Sequence, residues 1–234
     1  MSYQKLHLGC GLRTPSDWLN VDGSWNARLA KFSKLRKIVG RTKLISPEQF
    51  DIPWNSEIFI HDVRSPLPFE RDSFQFVYAS HLLEHLYWEE GQKLFRQCFR
   101  VLKPGGCLRI VVPDLKVIAR KYMADSPVEN DSKNELTSAD QFNDHLLMHG
   151  RCPPPSGNLL YRIYTALNDF FHTHKWMYDA DSLTQCFQDA GFAEVREMAC
   201  HDSRIAGIEA VEDPERVLNG AGICIEGIKP AISR

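Results

Sequence analysis

Gly9-Cys10-Gly11, Asp22 and Asp62 are the residues whose type and order first point to chemistry. Glycines let a backbone turn sharply and let a ligand approach without meeting a Cβ. A carboxylate at a strand end can accept from both hydroxyls of a ribose, as Asp22 is placed to do. A second one, Asp62, can accept from the exocyclic amine of an adenine. Singly, each is an ordinary turn or capping residue. In this order, glycine turn then acid then acid, they describe an adenosine-binding edge.

Such an edge needs strands to carry it. Lys5-Leu6-His7-Leu8 reads as a first strand ending at the glycine turn, Trp18–Asp22 as a second, and Glu57–Asp62 as a third. Ser73–Ala79 is an apolar fourth strand and Cys107–Val112 a buried fifth, with late strands near Ala193–Ala199 and Ile223–Ile228. Between them, Gly91–Leu102 has helical periodicity through Leu94, Phe95, Cys98 and Leu102, and Pro104-Gly105-Gly106 stops it. Ser182–Ala190 is another helix, and Ala139–Met148 and Leu159–Phe171 look helical. Strands alternating with helices predict an α/β, doubly wound, Rossmann-like sheet, mostly parallel with an antiparallel late strand and helices on both faces. The expected organisation is one domain over 1–234. It carries a basic helical insertion at about 24–56 and a lid or substrate-binding insertion at about 115–173.

Two longer stretches make the pattern specific. The run from Asp62 through Pro66-Leu67-Pro68-Phe69 and Ser73-Phe74-Gln75-Phe76-Val77 to Leu83-Glu84-His85-Leu86 resembles the middle of class I S-adenosylmethionine-dependent methyltransferases. So does Arg100-Val-Leu-Lys-Pro-Gly-Gly106, and the stretch from His174-Lys-Trp-Met-Tyr-Asp179 to Ala190-Gly-Phe192 also occurs in that family. The resemblance covers residues 5–23, 57–113 and roughly 174–228. Within the type 11-like members it is similar to sequence-predicted methyltransferases that accompany surface-polysaccharide biosynthesis. Gln75 stands where the family has Asp. Only 13 positions separate Gly9 from Asp22, against about 20 in ordinary units of this kind, so the first crossover helix is expected to be missing or reduced to a turn. The amides of the Gly9–Gly11 turn would then do more of the work of a helix N-terminus.

The resemblance implies S-adenosyl-L-methionine as cofactor and methyl transfer as the reaction. It implies that Gly9, Cys10 and Gly11 approach the methionine portion, Asp22 the ribose, and Asp62 and Val63 the adenine. Ser80 and His81 would lie along the cofactor near the acceptor, and Glu84 and His85 would open the next helix. A hydroxyl acceptor also needs a proton acceptor, for which His81, Asp114, His172 and His174 are the candidates; His81 is preferred, with Asp114 and His174 behind it. The expected reaction is O-methylation of a saccharide or related small molecule. N- or C-methylation of a small metabolite, or an inactive cofactor-binding scaffold, are the alternatives.

Other features narrow the partners. His145 and His149 are four apart and His172-x-His174 follows, but no Glu follows His145 and no cysteine pair supports a structural zinc, so no metal is expected. The formal net charge of −2 gives no reason to expect nucleic acid. Seven scattered cysteines, no apolar run of membrane-spanning length and no signal-peptide pattern point to a reduced, cytoplasmic protein. Ser24–Pro47 holds Arg28, Lys31, Lys34, Arg36, Lys37, Arg41 and Lys43 and no acid, which leaves −9 for the rest of the chain. With Leu29, Phe32, Leu35 and Val39 at helical spacing, it reads as an amphipathic basic helix. Such a helix is a solvated face or a contact to an anionic acceptor or membrane surface. The sequence leaves the oligomeric state open.

Overall fold

The computed structural model describes residues 3–31, 53–124, 138–147 and 173–231. Seven strands form one sheet: β1 (Lys5–Leu8), β2 (Trp18–Asp22), β3 (Phe59–Ile60), β4 (Phe74–Ser80), β5 (Leu102–Val112), β6 (Ala193–Glu197) and β7 (Ile223–Ile228). Their order across the sheet is β3-β2-β1-β4-β5-β7-β6. The first five run parallel, and β7 lies antiparallel between β5 and β6. Among the described residues the α-helices are α1 (Trp25–Lys31), α2 (Trp88–Val101), α3 (Leu115–Ala124), α4 (Ser138–Leu146) and α5 (Ala180–Asp189). This is the doubly wound architecture that the alternating pattern predicts.

Strand alternation divides the core in two. Leu6, Leu8, Val77, Ala79, Leu108, Ile110, Val112 and Ile225 face α2 and α5, which return Leu94, Phe95, Cys98, Leu183, Cys186 and Phe187 to the same cluster. The alternate residues Tyr78, Cys107, Val111 and Cys224 face the other way. With Trp18 they pack under Ile205, Ile208, Val211 and Val217. Among the described residues that second face is covered by a segment of short 3-10 turns.

Helix α2 follows its sequence closely. Its buried positions Leu94, Phe95, Cys98 and Val101 recur at helical spacing, and Glu90 accepts the Tyr87 amide at 3.0 Å as part of a capping box. It ends where Pro104-Gly105-Gly106 requires, with Gly105 at φ +77°. The chain then bulges: Phe74 pairs with Leu102, yet Phe76 pairs with Cys107. A side chain at Gly106 would meet the Lys103 and Gln75 carbonyls at 2.8 and 2.9 Å, so the bulge excludes one there.

Several boundaries move. The third strand is only Phe59–Ile60, so Asp62 lies two residues beyond it. Residues 9–17 contain no helix, as the short Gly9-to-Asp22 spacing predicts. Of the basic stretch, Trp25–Lys31 is helical, while 32–47 and the expected helix at 159–171 lie outside the described residues. Among the described residues no helix is long and apolar enough to cross a membrane.

Candidate active site

The strand order reverses at β1: β2 and β3 extend to one side and β4 and β5 to the other. Ligands of open parallel sheets bind in the crevice beyond the carboxyl ends at such a switch point. The carboxyl ends of β1 and β4 are paired through Leu8 and Ala79, so Gly9–Gly11 and Ser80–His81 flank that crevice.

The glycine turn is held from below by Asp22. Its Oδ2 accepts the Gly11 amide at 3.0 Å and its Oδ1 accepts the Ser24 amide at 2.8 Å. The Cys10 amide donates to the Val21 carbonyl at 3.1 Å. Two amides that were expected to face a ligand are thus spent inside the fold, because without a crossover helix β2 must close the turn directly. The turn offers bare space instead: a Cβ built on Gly11 meets nothing within 4 Å, and Gly9 and Gly11 sit at φ +64° and +53°. The Cys10 side chain is packed with Ala27 and Ile58, and burial pushes its thiol up. Cys10 therefore contributes backbone shape and no nucleophile.

Asp62 stands beside this edge, with the His61 amide donating to the Asp22 carbonyl at 3.3 Å. Arg64 closes on the Asp62 carboxylate, Nε at 2.9 Å from Oδ1 and Nη2 at 2.5 Å from Oδ2. That hydrogen bonding holds Asp62 below the ordinary carboxylate range. Val63 is half-buried against the main core. Asp22 is buried and still has lone pairs beyond its two backbone donors, since a carboxylate offers about four acceptor positions.

At the end of β4 the Ser80 hydroxyl is buried without a partner among the described residues. His81 follows in the left-handed region at φ +49°, a conformation that costs a non-glycine residue about 1–3 kcal/mol and clusters at functional sites. Its Nε2 lies 3.2 Å from the Arg216 carbonyl and its Nδ1 3.5 Å from Glu84 Oε1. Burial pulls its pKa down to about 4, so the ring is neutral at pH 7. Asp114 is occupied differently. Its Oδ1 accepts the Lys116 amide at 2.8 Å, capping the first turn of α3, and its backbone bridges to Tyr178. His174 is buried, with burial lowering its pKa, and its ring stands 4.9 Å from that of His85. His172 lies outside the described residues.

Sequence reasoning missed the setting of Glu84. It does not open a helix; Leu83–His85 form a 3-10 turn, and α2 starts only at Trp88. Glu84 is fully buried, both carboxylate oxygens lack a hydrogen-bond partner among the described residues, and burial raises its pKa to about 8. The Leu83-Glu84-His85-Leu86 motif was the available signal, since a Glu amid apolar residues is either exposed or paired. Gln75, the other departure, is the second residue of β4 and donates to the Gly105 carbonyl at 3.3 Å. It sits about five residues, or ~16 Å, from Ser80 and is remote from this edge.

Residues 6–110 match the family model described as a methyltransferase domain. Among solved structures, the chain is similar to a S-adenosylmethionine-dependent methyltransferase of Thermotoga maritima described as a possible histamine N-methyltransferase. The identity is 17% over 97% of this chain and 81% of that one, with a TM-score of 0.49. It is also similar to one from Mesorhizobium loti, at 20% identity over 97% and 91% of the two chains with a TM-score of 0.44. A third, from Archaeoglobus fulgidus, has 13% identity over 97% and 86% with a TM-score of 0.47. No curated protein matches the sequence. The open space over Gly11 and the unpartnered Ser80 hydroxyl at the sheet edge fit S-adenosylmethionine, the cofactor that the sequence resemblance implies.

Proposed function

We propose that this chain, whose residues 6–110 match a methyltransferase domain, is a S-adenosylmethionine-dependent enzyme that methylates a hydroxyl of a saccharide or related small molecule. The observation that carries the reading is convergence. The Gly9–Gly11 turn, the Asp22 carboxylate beneath it and the Ser80–His81 end of β4 meet at one switch point of a parallel sheet.

When bound, the cofactor supplies a methyl group already activated by its sulfonium charge. The chain's own work is alignment and exclusion of water, which contribute up to about 7–11 kcal/mol in the best intramolecular models. Gly9 and Gly11 leave room for the methionine portion, Asp22 holds the ribose, and Asp62 with Val63 borders the adenine. His81, neutral at pH 7 and next to the β4 end of the edge, is the residue we assign to take the proton that the hydroxyl gives up, once a nitrogen is released from its present contacts. The saccharide preference is supported by the resemblance to methyltransferases that accompany polysaccharide biosynthesis. The seven positive charges of Ser24–Pro47 suit an acceptor carrying phosphate, such as a sugar nucleotide, or an anionic membrane surface.

A methyl-transfer screen with isotopically labelled S-adenosylmethionine, read by mass spectrometry against sugar nucleotides, free glycans, amines and carbon acids, tests the reading. Labelled sugar ether is the expected product. Transfer only to nitrogen or carbon would overturn the acceptor class, and binding without transfer to any acceptor would leave a scaffold.

A further inference from the structure

The turn after β4 holds a set of side chains that the methyl-transfer reading leaves unused. Glu84, His85 and His174 each bring one potential ligand atom to within 4.8 Å of the other two. The backbone fixes this meeting: the Glu84 carbonyl accepts the Lys175 amide at 2.7 Å and the Trp176 amide at 3.3 Å, which seats His174 against the 3-10 turn.

The hydrogen-bond accounting points inward. Among the described residues, both oxygens of the fully buried Glu84 carboxylate and the buried Nδ1 of His174 have no hydrogen-bond partner. A buried carboxyl without hydrogen-bond partners is costly even when burial keeps it protonated, and a cation bound between it and the neighbouring imidazoles would relieve that cost. The His85 ring is also turned as a ligand is turned. His85 Nδ1 lies 3.2 Å from the Thr173 carbonyl and its Nε2 lies 4.0 Å from Glu84 Oε1. The His174 ring stands 4.9 Å from that of His85, and its Nδ1 is unpaired among the described residues. The carbonyl behind the His85 imidazole is the usual outer shell of a metal-bound histidine.

We infer that Glu84, His85 and His174 form a site for a borderline divalent transition ion, with Zn2+ the best match. Two imidazoles and one carboxylate are a ligand set for such ions, and three protein ligands leave a position open. Tetrahedral coordination at ~2.0–2.1 Å brings ligand atoms to about 3.3–3.4 Å apart, so the trio has roughly an ångström to close. The trio shares only His174 with the His145, His149 and His172-x-His174 spacing, from which no metal is expected. The site follows the Ser80–His81 end of β4 directly in sequence. Use of its open position by an acceptor hydroxyl rests on the proposed methyl transfer, whereas the ion itself does not.

Chelator-treated wild-type protein is titrated with Zn2+ by calorimetry and with Co2+ by visible absorption, without cofactor or acceptor. The expected result is uptake of about one ion per chain with low-symmetry Co2+ bands. Affinity should fall at least ~10-fold in Glu84→Gln and in His174→Gln, while His145→Ala leaves it unchanged. Circular dichroism of each variant before titration confirms that it is folded, and His85→Gln serves if either fails that check. No Zn2+ uptake by folded wild type overturns the site, as does undiminished binding by the folded variants. Because no activity is read, a protein that binds Zn2+ but methylates no sugar keeps this inference and loses only the acceptor reading.

Discussion

Asp22 Oδ2 accepts the Gly11 amide at 3.0 Å, so the acid that ends β2 also fixes the turn that ends β1. One carboxylate thereby sets the shape of the proposed cofactor edge and faces it. Asp22→Ala should weaken S-adenosylmethionine binding by about 10- to 100-fold, the effect of ~1.5–3 kcal/mol from charge-assisted hydrogen bonds. Asp62→Ala should cost less, because Arg64 already takes up much of that carboxylate. Calorimetry on the two folded variants decides it. An Asp22→Ala protein with wild-type affinity would reduce Asp22 to a turn residue.

The edge was legible in the sequence because its parts are local. Leu6 and Leu8 alternate around His7 and run into glycine, and Trp18–Asp22 runs into an acid, so the strand ends fall at the turns of the proposed cofactor edge. Glu84 and His85 were misplaced because the helical apolar pattern of α2 continues backwards through Leu83 and Leu86. The extended backbone of Leu86, at φ −100° and ψ 147°, and of Tyr87, at φ −64° and ψ 156°, separates the 3-10 turn from the helix. What makes Glu84 notable is its contact with 174–176, some 90 residues along the chain, and no local pattern encodes that. The third strand was read too long for a related reason: Glu57–Asp62 has strand character, but β2 pairs with only Phe59 and Ile60.

His81→Asn should lower kcat by about 10²-fold or more, the scale of general-base catalysis, with a smaller change in cofactor affinity. Single-turnover rates with saturating S-adenosylmethionine give the measurement. If kcat is kept and only the cofactor constant moves, His81 lines the cofactor and does not take the proton.

Arg109, in the middle of β5, is fully buried between two acids. Its Nε lies 2.8 Å from Glu212 Oε1 and its Nη1 2.8 Å from Glu226 Oε1. Arg109→Met should destabilise the fold by about 3–5 kcal/mol, because it strands two buried carboxylates. Replacing all three by apolar residues of similar volume should recover most of that loss. Urea unfolding of the single and triple variants tests this, and equal destabilisation of both would mean that packing, not charge, dominates.

The basic stretch is tested in solution. Neutralising Lys34, Arg36 and Lys37 together should raise the acceptor Michaelis constant while leaving S-adenosylmethionine affinity nearly unchanged. The effect should fade with salt, since the Debye length is about 10 Å at 0.1 M. A triple variant with wild-type acceptor kinetics and no change in binding to anionic vesicles at low salt would make the stretch a solvated face.

His7 should make the fold acid-sensitive. It sits in β1 with its ring 5.2 Å from Tyr78 and 6.1 Å from Trp18, and its Nδ1 is buried without a partner among the described residues. Burial takes its pKa down from 6.5 to about 4, aided by the positive charges of Arg216 and Arg13. Between those two values the unfolded chain binds a proton that the folded chain refuses. Stability is therefore fully present above pH 6.5, falls as pH drops through the window, and levels off for this group below about 4. The two values correspond to a loss of about 2 kcal/mol between pH 7 and pH 5 from His7 alone. His81 and His174, also lowered by burial, add to the same slope. Urea unfolding at both pH values should show His7→Leu losing less stability than wild type by roughly that amount. An unchanged difference between the two pH values would mean that the His7 ring is reached by water and titrates as in the unfolded chain.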